Sequence, residues 1–114
     1  MRKVKVKICG LKRAQDIECV NRLLPDYIGF VFAKTRREVT EQQAAQLKAM
    51  LNPQIKAVGV FVNAEIDMIA RLAESRTIDI IQLHGDEDAA YCERLRLQTE
   101  LPIIKAVRVK DAGS

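Results

Sequence analysis

A chain of 114 residues, 48% hydrophobic and 30% charged, is long enough to bury one globular core and has neither the length for several domains nor the composition of a disordered segment. Its net charge of +4 is made of basic residues interleaved with acids, which excludes a dedicated nucleic-acid stripe and suits an anionic small molecule. Three widely spaced cysteines, Cys9, Cys19 and Cys92, form neither a disulfide framework nor a CxxC zinc pair, so a reducing, cytoplasmic home without a metal site is expected.

The N-terminal residues Met1-Arg2-Lys3-Val4 lead directly into a strand pattern, with no signal-peptide core, and no apolar run is long enough to span a bilayer. From Val4 to Cys9 apolar and polar residues alternate, with Lys3, Lys5, Lys7 and Cys9 on one face and Val4, Val6 and Ile8 on the other. A period of two predicts a strand. Arg13 to Leu24 follows with a helical stripe of Ala14, Ile17, Val20, Leu23 and Leu24, closed by Pro25-Asp26. Tyr27 to Phe32 is a second, almost wholly apolar strand. Thr40 with Gln43 three residues on fits a capping box for a helix running to about Leu51, with Ala44, Leu47, Ala49 and Leu51 turned inward. Ile55 to Val62 is a third strand. Asn63 is the expected cap of a helix from Ala64 to Ser75. Ile78 to Leu83 is a fourth strand, and a helix from about Asp88 to Gln98 offers Ala89, Cys92, Leu95 and Leu97 to the core. Pro102 to Val109 is a fifth strand.

Strands alternating with helices at this spacing mean βαβ units and a parallel sheet. Two α/β architectures compete: a doubly wound, flavodoxin-like layer, and the first four βα units plus the fifth strand of a TIM barrel. The strand faces favour the incomplete barrel. Lys5 and Lys7 share the face of Cys9; Gln82 and His84 share the face of Ile80; Lys105 shares that of Ile103. Such polar side chains fit a barrel lumen near its mouth better than a layer covered by helices on both sides. The turn Gly10-Leu11-Lys12-Arg13 also lacks the GxGxxG of a dinucleotide site.

In a parallel arrangement the carboxyl ends of the strands share one rim, where active sites are built. Cys9 follows the first strand, Lys34, Arg36 and Arg37 the second, Asn63 the third, and His84 and Asp86 the fourth. Taken singly each has a plain reading: a small buried hydrophobe, a solvated arginine pair, a helix cap, a structural histidine. Their convergence on one edge is what marks a site.

The blocks Lys7-Ile8-Cys9-Gly10-Leu11, Ile28-Gly29-Phe30-Val31-Phe32, Val58-Gly59-Val60-Phe61-Val62-Asn63, Ile81-Gln82-Leu83-His84-Gly85-Asp86-Glu87 and Ile104-Lys105-Ala106 together resemble the phosphoribosylanthranilate isomerase family of tryptophan biosynthesis. Their order and spacing agree over nearly the whole chain. The resemblance implies a (βα)8 barrel that carries out an Amadori rearrangement of a small phosphorylated substrate, N-(5′-phosphoribosyl)anthranilate, without metal or cofactor. It implies that Cys9 is the general base taking the proton from the sugar C2′, a role suited to a thiolate whose pKa is lowered by nearby cations. It places the arginine that holds the anthranilate carboxylate at Arg37, with Arg36 the second choice, and makes His84 a substrate-positioning group beside Asn63.

The chain departs from the family in length. A (βα)8 barrel needs about 200 residues or more. The family's general acid, an aspartate after strand six, has no counterpart, and Asp111 lies too early to supply it. The phosphate-binding loops after strands seven and eight are absent as well. The expectation is therefore the N-terminal half of an isomerase domain, nearly inactive alone. The alternative is a non-catalytic half-barrel that self-associates through its open edges.

Overall fold

The computed structural model describes residues 7–105; for Lys7 and Cys9 the description covers the main chain. Predicted strand positions 4–6 and 106–109, the lysines Lys3 and Lys5, and Asp111 lie outside it. The elements alternate as β1 (Lys7–Cys9), α1 (Ala14–Leu23), β2 (Tyr27–Val31), α2 (Glu41–Met50), β3 (Lys56–Phe61), α3 (Ile66–Glu74), β4 (Ile80–Leu83), α4 (Ala89–Arg96) and β5 (Ile103–Lys105). All five strands are parallel, in the order β1-β2-β3-β4-β5. This order separates the two architectures. A doubly wound sheet reverses direction at a switch point, whereas each strand here is laid beside its predecessor, as around a barrel wall.

The register divides the sheet into two faces. Ile28 lies beside Ala57, Phe30 beside Gly59 and then Ile81, and Phe61 beside Leu83. These residues are fully buried, and with Ile17, Val20, Ala44, Leu47, Ile69, Leu72 and Leu95 from the four helices they form the core. Each buried Val, Leu, Ile or Phe side chain among them contributes about 1.5–3 kcal/mol by leaving water. The opposite face carries Val31, Val60, Gln82 and Ile104 in one row, all partly or well exposed, Ile104 at 49%. Helices therefore cover one face and the lumen face stays open. Gly59 lies on the covered face, where a Cβ would stand 2.9 Å from Phe61 Cε2 and 3.0 Å from Ile78 Cγ2. Its missing side chain is what lets Phe61 lie flat and stack on Phe32 at 5.1 Å between ring centroids.

Several expectations need correction. Lys105 stands in register with Leu83, on the helix side of the sheet and not in the lumen. Leu23 and Leu24 are exposed because α1 ends there, Leu24 being its left-handed C-cap with φ 50°. Ala14 and Ala89, in the first turns of α1 and α4, are exposed, and Ala49 points away from the stripe of Ala44, Leu47 and Leu51. Leu97, the C-cap of α4, is 84% exposed. Asn63 does not cap α3, whose N-cap is Glu65. The Thr40–Gln43 capping box is present, with Gln43 N donating to Thr40 Oγ1 at 3.0 Å and Thr40 N to Gln43 Oε1 at 2.9 Å.

Leu83→Ala should lower the unfolding free energy by about 2–5 kcal/mol in urea denaturation, as expected for a cavity in a packed core. Leu97→Ala should change it by less than about 0.5 kcal/mol. Equal effects at the two positions would contradict this division of the core.

Candidate active site

The turns at the carboxyl ends of β1, β2, β3 and β4 form the rim. After β1 the chain turns at Gly10, with φ +86°, and Gly10 N donates to Gly29 O at 2.9 Å. Positive φ favours glycine on backbone grounds. The side chain of Arg37 supplies a second reason. A Cβ on residue 10 would stand 2.4 Å from Arg37 Cδ and 3.2 Å from Arg37 Nε. Arg37 thus lies across the residue that follows Cys9, bringing a guanidinium stem from the β2 turn onto the β1 turn.

The β2 turn is tied down by its main chain. Val39 N donates to Val31 O at 2.9 Å, Glu38 N to Thr35 O at 3.2 Å and Arg37 N to Thr35 Oγ1 at 3.1 Å. Lys12 reaches over from the β1 turn, its Nζ donating to Arg36 O at 2.7 Å. Arg36 therefore serves this contact through its carbonyl, while its side chain is exposed. Asp16 Oδ2 accepts from Lys12 N and Arg13 N, each at 3.1 Å, and so closes the start of α1. The Lys12 amide, ahead of burial working the other way and of further help from Arg13, holds the Asp16 carboxyl below its ordinary value.

On the β4 side, His84 N donates to Phe61 O at 2.8 Å, extending the ladder by one step. Its ring is exposed and its Nε2 is hydrogen-bonded to Gln82 Nε2. Gln82 and His84 are two residues apart and share the lumen face. Asn63 has φ 49° and bridges β3 to β4: its Oδ1 accepts from Asp86 N at 2.9 Å. Its carbonyl oxygen is thus a brace between two turns. Gly85 fits tightly beneath it, since a Cβ there would lie 2.7 Å from Asn63 Oδ1.

Glu87 was not singled out by sequence reasoning, although it follows His84 by three residues. It is buried and accepts from Asn63 N at 2.7 Å, Gly85 N at 2.9 Å and Lys105 Nζ at 2.9 Å. Beside it Tyr91 donates to Ala64 O at 2.6 Å, and burial first, then the nearby Glu87 charge, pushes the phenol up to about 12. Separately, a groove of about 740 Å³ runs between the β2 turn and α3, lined by Phe32, Lys34, Glu38, Met68 and Arg71. Arg37 and His84 do not line it. The bidentate Arg71–Glu41 pair, at 2.9 and 3.2 Å, links α2 to α3 at its edge. Among the described residues no group of three His, Cys, Asp or Glu side chains is placed to hold a metal, and no helix is long and apolar enough to cross a membrane.

Consecutive parallel strands, helices on one face and polar side chains gathered at the carboxyl rim define a (βα)-barrel architecture with its site at the strand ends. The chain belongs to the N-(5′-phosphoribosyl)anthranilate (PRA) isomerase family, whose model matches residues 6–113. It is 50% identical over 107 residues to the N-(5′-phosphoribosyl)anthranilate isomerase of Endomicrobium trichonymphae, covering 94% of this chain and 54% of that one. It is likewise 50% identical over 107 residues to that of Lachnoclostridium phytofermentans, covering 94% and 49%. The phosphoribosyl anthranilate isomerase structure from Thermotoga maritima superposes with a TM-score of 0.82 at 32% identity, covering 97% of this chain and 54% of its own. A phosphoribosyl anthranilate isomerase in complex with reduced 1-(o-carboxyphenylamino)-1-deoxyribulose 5-phosphate superposes equally well, with a TM-score of 0.82. The chain spans about half the length of these relatives.

Gly10→Ala should cost about 1–2 kcal/mol from the left-handed backbone alone. It should also displace Arg37, seen as changed side-chain NMR resonances of Arg37 without changes at Ile81. A variant as stable as the parent with an undisturbed Arg37 would contradict the packing described.

Proposed function

We propose that the chain works as the N-terminal portion of a (βα)8-barrel that isomerises N-(5′-phosphoribosyl)anthranilate to the carboxyphenylamino-deoxyribulose phosphate in tryptophan biosynthesis, in the cytoplasm. The observation that carries this reading is Arg37 lying across Gly10, next to Cys9. The reaction needs a base at the sugar C2′ and a cation for the anthranilate carboxylate, a few ångströms apart on one substrate. Cys9 supplies the base as a thiolate. Arg37 supplies the planar fork that matches a carboxylate, and in this reading its charge also favours the thiolate. His84 and Asn63 border the same rim and orient the substrate, while Arg36 adds positive charge. Side chains alone carry the steps assigned here.

The 114 residues contribute the base and the carboxylate clamp. The proton donor to the ring oxygen and the groups that hold the phosphate belong, in this reading, to the part of the family's fold that this chain does not span. A missing general acid lowers rates by about 10²–10⁴-fold. The isolated chain should therefore turn over barely above background in an assay following loss of substrate fluorescence. Addition of the C-terminal portion of a relative should restore activity. In the restored enzyme Cys9→Ala should abolish turnover and Arg37→Ala should chiefly raise KM. Restored turnover that survives Cys9→Ala would overturn the assignment.

A second reading rests on the open sheet. Among the described residues β1 and β5 each pair on one side only, and Ile104 is exposed on the lumen face. Unpaired edges and an uncovered apolar face favour association of two copies. Sedimentation of the isolated chain should show a dimer that Ile104→Lys weakens. A monomer at all concentrations would contradict it.

A further inference from the structure

Among the described residues the buried polar or charged side chains are Thr77 and Glu87. Thr77 is satisfied locally through Ser75. Glu87 is not local: it gathers groups from three strand ends. Its Oε2 takes Asn63 N after β3, its Oε1 takes Gly85 N after β4, and the same Oε1 takes Lys105 Nζ at the end of β5. Lys105 Nζ in turn donates to Gly85 O. Both peptide groups that flank Gly85 are therefore held by one ion pair, and Asn63 is held at its amide by Glu87 and at its Oδ1 by Asp86 N.

We propose that Glu87 and Lys105 are positioning residues that clamp the β3 and β4 turns together and so fix the direction in which His84 leaves the sheet. The inference rests on the reading of the rim as the substrate site and names the group that sets the site's geometry. The energetics favour positioning over stability. A buried ion pair gains little over a well-packed apolar pair of the same size, because two charges lose their water. An apolar pair, however, could not bind two amides and a carbonyl belonging to two different turns. Gly85 and Asn63 show that the turns are held in unusual forms: Asn63 is left-handed, and residue 85 has no room for a Cβ against it. His84 sits directly before Gly85, so freedom gained by the Gly85 peptide passes straight to the His84 ring.

Burial works to raise the Glu87 carboxyl, but the Lys105 side chain and the Asn63 and neighbouring amides outweigh it and hold the carboxyl below its ordinary value. The clamp is accordingly complete at neutral pH and is released as pH falls through that lowered value.

The test uses the whole 114-residue chain and does not depend on turnover. His84 is its one histidine, so its ring Hε1 proton is an unambiguous NMR reporter. In Glu87→Gln, amide hydrogen exchange at Gly85 and Asn63 should quicken about tenfold, the loss of one charge-assisted hydrogen bond, while Phe61 and Ile28 stay within about twofold. The His84 resonance should move. Unchanged exchange at Gly85 and Asn63, or equal acceleration throughout the sheet, would overturn the proposal, the latter because it marks a merely structural pair. Should the variant not fold, acid titration of the unmodified chain decides. The Gly85 and Asn63 amide protons should shift together at one midpoint below the ordinary glutamate value, and separate midpoints or no shift would overturn the clamp. Failure of the isomerase reading would appear as absent turnover in the restored enzyme while the Glu87→Gln exchange and His84 changes still occur as predicted.

Discussion

The parallel register of five consecutive strands is the constraint on which everything else depends. It sets Phe30, Gly59 and Ile81 in one row and Phe61 and Leu83 in the next, so that large apolar side chains fall on one face and are sealed by the helices. The same register turns every strand in one direction. All carboxyl ends then meet at one edge, and residues as distant in sequence as Gly10, Arg37, Asn63 and His84 are brought to it. A slip of one residue in any strand would exchange the two faces. The core would be lost and the rim side chains would be redirected in the same step.

The rim is held by polar contacts in addition to the apolar residues Leu11, Phe32 and Val39, which anchor its first two turns in the core. On the β1–β2 side, Lys12 reaches Arg36 O and Arg37 lies across Gly10. On the β3–β5 side, Glu87, Lys105 and Asn63 form a closed set of bonds around Gly85. In both places a glycine leaves the space that a neighbouring side chain fills. The two halves differ in exposure. Arg37 is exposed, as the proposed carboxylate clamp requires, whereas Glu87 is buried, as the proposed brace requires. The groove beside Lys34 and Arg71 adds volume near the rim without the residues assigned to the chemistry.

Much of this was legible in the sequence because the signals are local. Alternation marks β1, apolar runs between helical segments mark the strands that follow, the Thr40–Gln43 pair announces α2, and the run of strand-end polar residues outlines the rim. The errors share a physical cause. Leu23, Leu24 and Leu97 fit a helical stripe, but the stripe reaches past the point where the helix is covered, and a periodicity does not say where packing stops. Asn63 looked like a cap because it precedes a helix; its partner is Asp86, 23 residues on, which no local pattern encodes. Alternation within its own short strand groups Lys105 with Ile103 but does not say which side of the sheet that face is on; pairing with Leu83 fixes it. The Glu87–Lys105 pair was invisible for the same reason, being a contact between the ends of two strands.

The account centres on Arg37 being carried across the sheet to the turn that follows Cys9. Alkylation of the three cysteines by iodoacetamide, followed site by site by mass spectrometry in the parent chain and in Arg37→Ala, tests this most directly. The account predicts that Cys9 reacts severalfold more slowly at neutral pH once the guanidinium is gone, because its thiolate fraction falls. Cys19, exposed on α1, should be unaffected and serves as the internal reference. A Cys9 rate that does not respond to Arg37, or that falls in parallel with Cys19, would contradict the proposed pairing of base and carboxylate clamp.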